Sequence, residues 1–199
     1  IYTGLKYAFD DIKVVDLDST KLLFNTSIEG NKGGTISGIG WVTNYDSRNH
    51  SFYPNKGQLI EFFIYHENNY TGSTFNYWRF TLDASTFHTL TPKQILAFNF
   101  YGAMINGETS FTHLPMLGGD TKLRGYYEGR FRDKLALTWQ TEWRYKFHKR
   151  VGLNLFASTG VIAPTINSVA IKEFKYSAGG GLRFVLDKKQ GVNLRADFA

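Results

Sequence analysis

The 199-residue chain contains no cysteine, which removes a disulfide framework and thiolate metal sites from consideration. It has no run of about 18 apolar residues, so no stretch reads as a transmembrane helix. Helical periodicity is nearly absent. There is no Gly-x-Ser-x-Gly and no phosphate-cradling glycine loop. The histidines, His50, His66, His88, His113 and His148, stand apart without metal-ligand spacing. The chain therefore carries no signature of an enzyme, a metal site or a cofactor. Its net charge is +6, yet lysine and arginine are scattered at alternate positions and not clustered beside aromatics, which argues against a nucleic-acid partner.

What the chain does have is aromatic residues and alternation. Aromatics make up 17% of it, with 17 Phe, 12 Tyr and 4 Trp. That suits either an aromatic-rich soluble β-sandwich or a membrane β-barrel, where rings form girdles at both lipid–water boundaries. The segment Lys134–Phe147 decides between them. One face carries Leu135, Leu137, Trp139, Thr141, Trp143, Tyr145 and Phe147; the other carries Ala136, Thr138, Gln140, Glu142, Arg144 and Lys146. Successive strand side chains point to opposite faces, so one face is greasy and one wet. The unbroken pattern exceeds the roughly 5–6 residues usual for globular strands and is long enough for a bilayer, which takes about 9–11 when tilted.

Neighbouring segments repeat the pattern. Strands are expected at Tyr2–Phe9, Thr35–Asp46, Gly57–Glu67, around Trp78–Leu82, at Leu96–Met104, Val151–Val161, Phe174–Leu186 and Val192–Phe198, about nine in all. The facing of Gly57–Glu67 is open, because Leu-Ile-Glu-Phe-Phe-Ile-Tyr alternates poorly. Asp83 and Asp197 fall on wet faces and read as charge balance. Short connections are expected at Asn49–Lys56, Ser85–Thr91, His148–Arg150 and Asp187–Gln190, and long ones at Asp10–Lys32, Ile105–Asp133 and Ala163–Ile171. Short periplasmic turns and longer outer loops distinguish the two ends of an outer-membrane barrel.

The segment Met116–Arg132, MLGGDTKLRGYYEGRFR, is too long and glycine-rich for a hairpin turn. The fold expected is all-β: residues 1–199 form part of a transmembrane antiparallel β-barrel, with an extracellular loop of about 106–133 folded into its lumen. Bacterial barrels use an even number of strands, and an open edge in lipid leaves backbone groups unpaired. The nine strands are thus expected to belong to a larger barrel, completed by further strands or by a second chain. The start at Ile1 reads as a mature or partial chain, and a further strand is expected after Ala199.

Two motifs carry a family resemblance. Gly118-Gly119-Asp120-Thr121-Lys122-Leu123-Arg124-Gly125-Tyr126 is similar to the glycine pair and Arg-Gly-Phe/Tyr of the sixth loop in the BamA/TamA superfamily of outer-membrane insertases and translocators. Asp46-Ser47-Arg48 followed by Pro54-Asn55-Lys56-Gly57 resembles that family's Asp-x-Arg and Pro-x-x-Gly periplasmic turn. The resemblance spans nearly the whole chain and implies a 16-strand type barrel in a bacterial outer membrane. It implies that Arg124, with Gly125 and Tyr126, anchors the loop in the lumen against Glu142 on the next strand. At the second acidic position, on the strand after, this chain has Ser158. Arginine's planar fork of donors suits a carboxylate; the open alternative is that Glu142 serves Arg144, Lys146 or Arg183. The resemblance also implies a role without chemistry: inserting or translocating proteins. Partners would be the bilayer, unfolded outer-membrane clients or a passenger domain, and a second barrel chain or envelope complex.

Overall fold

A computed structural model describes residues 1–199 except 17, 19, 21, 25–27 and 188–190. Nine long strands form one antiparallel sheet: β1 (Tyr2–Lys13), β2 (Gly33–Asp46), β3 (Gly57–Glu67), β4 (Asn76–Thr91), β5 (Gln94–Glu108), β8 (Leu135–Tyr145), β9 (Val151–Ala163), β10 (Lys175–Asp187) and β11 (Val192–Phe198). Each pairs with its neighbours in chain order. The exception is β5 with β8, where the short hairpin β6 (Met116–Leu117) and β7 (Phe131–Arg132) intervenes as a separate ladder. The sheet is open: β1 and β11 each pair on one side only.

The two faces are inverted relative to a water-soluble protein. On β8, Trp139 is 42% exposed while Glu142, on the other face, is 6% exposed. Leu5, Tyr7 and Phe9 on β1, Trp41 on β2, Leu155 on β9, and Tyr176, Leu182 and Phe184 on β10 are likewise bare. The opposite face buries Asn154, Ser158, Arg183 and Glu67. On β3 the polar face takes Glu61, whose Oε1 accepts from Asn44 Nδ2 at 2.8 Å. This puts Phe63 and Tyr65 on the polar face and Ile60, Phe62 and Ile64 outside.

Several boundaries differ from expectation. β1 continues through Asp10–Lys13, which sequence assigned to a connection, and β5 runs to Glu108, so the long loop spans residues 109–134. Ser85–Thr91 is strand, not turn; β4 and β5 meet across Pro92 and Lys93 alone. Ser85–Thr91 carries Ser, Thr and His on both faces, with Phe87 and Leu90 on opposite ones, so its alternation is weak. Outward alternation also stops at one end of β8 and β9, where Leu135 and Val161 are fully buried.

Apolar packing occurs on the polar side, at one end. Ile36, Phe75, Tyr77 and Ile105 form one cluster, with Ile12 against it. Leu117, Leu123 and Ala136 form another, with Tyr126, Phe131 and Ile162 against it. The second cluster seats the long loop on β8 and β9.

Candidate functional site: a loop arginine between two carboxylates

The loop reaches its site by an unusual backbone path. Gly118 and Gly119 have φ of 104° and 90°, a region open to glycine at no steric cost. A side chain on Gly118 would also strike the carbonyl of Tyr127. Gly118 N–H donates to Lys122 O at 2.9 Å and Gly119 N–H to Tyr126 O at 2.9 Å, folding the segment into a compact arch. Leu123 adopts φ 61°, costly for a residue with a Cβ. It is wholly buried in the loop–sheet cluster, and that burial offsets the strain and aims the next residue at the sheet.

Arg124 is 5% exposed and uses its whole fork. Its Nη2 lies 2.5 Å from Glu142 Oε2, its Nε donates to Gln140 Oε1 at 3.2 Å, and its Nη1 donates to Asp197 Oδ2 at 3.0 Å. The guanidinium carbon sits 3.8 Å from the Phe156 ring centre, a cation–π approach. Glu142 also accepts from Arg144 Nε at 2.6 Å and lies 3.8 Å from Arg183 Nη2. Asp197 in turn pairs with Arg183 through both oxygens. Three arginines thus share two carboxylates. The loop contact and the wall contacts of Glu142 coexist; Lys146 is not among its ion pairs within the described residues.

The remaining motif residues fall as follows. Ser158 is buried, but its hydroxyl meets Ser177 Oγ at 2.7 Å instead of the loop. The second carboxylate on Arg124 is Asp197, from the fourth long strand after the loop, which sequence read only as charge balance. Tyr126 Oη donates to Tyr176 O at 3.1 Å, and Gly125 faces the chain end at Ala199.

In the turn between β2 and β3, Arg48 Nε and Nη2 grip Asp46 at 2.9 and 2.7 Å. Asn49 Oδ1 accepts from the N–H groups of Asn55 and Lys56. Gly57, at φ 100°, passes against the Ser47 carbonyl where no side chain fits. The turn also joins the site: Pro54 O accepts from Arg144 Nη1 at 3.2 Å, and Arg144 lies 4.9 Å from the Tyr53 ring. A continuous polar path therefore runs from this turn through Arg144 and Glu142 to Arg124 and the loop. A cavity of about 350 Å³ beside it is lined by Glu61, Asp83, Asn99 and Arg195 among others.

A sheet apolar without and charged within, with a loop inserted between adjacent strands and resting on the charged side, defines the class of membrane β-barrel walls. Residues 2–191 match the Omp85 superfamily domain, and the chain belongs to that superfamily. Among solved structures it is similar in fold to the crystal structure of BamA from Haemophilus ducreyi lacking POTRA domains 1–3. The TM-score is 0.74 at 16% identity, over 98% of this chain and 46% of that one. The chain thus spans less than half the length of that relative. A search of the curated proteins found no match.

Proposed function

We propose that the chain is part of the wall of a 16-strand type outer-membrane barrel, that its long loop lies in the lumen pinned by Arg124, and that the protein inserts or translocates other proteins. The observation that carries this is the pairing of a bare apolar face with a buried loop arginine held on the opposite, charged face. Soluble monomers rarely expose contiguous apolar patches beyond a few hundred Å²; nine strands of outward Leu, Phe, Tyr and Trp fit lipid tails. Superfamily membership supports the assembly or translocation role, for which no bond is made or broken. Strand edges template pairing with other chains, which is the physical basis for handling unfolded outer-membrane clients.

Depleting the protein tests the role. Loss of many outer-membrane proteins is the outcome expected of an insertase. Loss of one secreted passenger alone would replace it with a translocator, and normal levels of all of them with a structural subunit of an envelope complex. The loop lying across the charged face supports a translocating pore as second reading, with the loop as plug. On that reading, deleting Gly118–Arg130 raises ion conductance in planar bilayers.

A further inference from the structure

Asp197 sits three strands beyond β8 in the sheet, yet it shares Arg124 with Glu142 of that strand. The intervening β10 explains how. Its polar-face row reads Lys175, Ser177, Gly179, Gly181, Arg183, so its centre is bare. A methyl group on Gly181 would collide with Asp197 Oδ1 and the Ala196 carbonyl. One on Gly179 would lie 2.6 Å from Phe156 Cζ and strike the Phe198 carbonyl. The two glycines open a slot. Into it the Phe156 ring leans from β9 and the Asp197 carboxylate from β11, the ring stacking on the guanidinium and the carboxylate accepting from its Nη1. On β9 the nearby Ser158 offers no charge and is engaged with Ser177.

We propose that Asp197, seated through the Gly179–Gly181 slot, is a positioning residue that holds the loop on the sheet and ties it to β11. This rests on the reading that Arg124 pins the loop. Asp197 also faces Arg183, so a role confined to balancing that arginine is the competing explanation.

The test places a nitroxide at Tyr127, which is 84% exposed on the loop, in the full-length protein reconstituted in phospholipid vesicles. The ratio of mobile to docked label is read by electron paramagnetic resonance, and folding is checked by heat-modifiable electrophoretic migration. Asp197→Asn is expected to raise the ratio about tenfold, the scale of one hydrogen bond between charged groups. Arg124→Gln, which also loses Glu142 and Gln140, is expected to raise it by more, and adding Asp197→Asn to Arg124→Gln to raise it no further. In an Arg183→Gln background, where the competing role is void, Asp197→Asn is expected to release the loop as before. If Arg124→Gln frees the loop but Asp197→Asn does not in either background, the proposal is overturned and the pinned loop stands. If Arg124→Gln leaves the label docked, the pinned-loop reading falls and the proposal with it.

Discussion

At the scale of single residues, Glu142 has the most to lose. It is buried and holds Arg124 and Arg144 on its two oxygens. Removing one partner of a buried pair leaves the other charge uncompensated, at a cost of about 3–5 kcal/mol. Glu142→Gln is therefore expected to lower the unfolding midpoint of the reconstituted protein and expose the loop to added protease. A midpoint and cleavage pattern equal to the parent's would show that the cluster does not hold the loop. Leu123 contributes differently, by filling space beside Leu117 and Ala136. Leu123→Ala retains the strained φ and loses the packing, so a destabilisation of about 2–5 kcal/mol is expected, measured by denaturant unfolding in vesicles. Leu123→Gly relieves the strain and should cost less than the alanine change once the lost side-chain volume is matched.

At the scale of elements, the loop's first turn gives a pH prediction. His113, in the turn Phe111–His113, is held below its ordinary pKa of 6.5 by burial and by Arg79, against a smaller opposing pull from Asp10, 3.6 Å away. The folded form thus binds the proton more weakly than the unfolded. Its contribution to loop docking is complete above pH 6.5 and falls as pH drops through the lower folded value. An NMR titration of the imidazole should show a midpoint below 6.5, and His113→Gln should flatten the acid-side loss of loop protection.

Elements also show what was legible in the sequence. β8 could be read outright, because one face is apolar but for Thr141 and the other polar but for Ala136. β3 could not be oriented, since Phe63 and Tyr65 lie on the polar face alongside Glu61, so both faces contain aromatics. Ser85–Thr91 looked like a turn because its Ser, Thr and His residues fall on both faces while its two apolar residues, Phe87 and Leu90, fall on opposite ones, so no alternation shows. The Arg124–Glu142 contact was suggested by a motif. The Asp197 contact was not, because it depends on a bare glycine row in a third strand. The run Gly179-Gly180-Gly181 was the available signal, and it reads as a gap only once β9 and β11 are known to flank it.

For the whole molecule, the inverted faces dictate how substitutions should partition. Leu155→Arg, on the bare face of β9, is expected to cost about 2–4 kcal/mol if that face meets the bilayer midplane, with smaller effects toward the strand ends. A comparable charge at Asn99, on the polar face beside Asp83, should be tolerated far better. Unfolding both variants in vesicles measures the contrast, and equal losses would remove the distinction between the faces. The most direct measurement uses Trp139, midway along β8 on the bare face, as sole tryptophan in vesicles whose acyl chains are brominated. The lipid-facing orientation predicts strong quenching of its fluorescence by the bromolipid and little by aqueous iodide. Quenching by iodide without quenching by bromolipid would contradict the account.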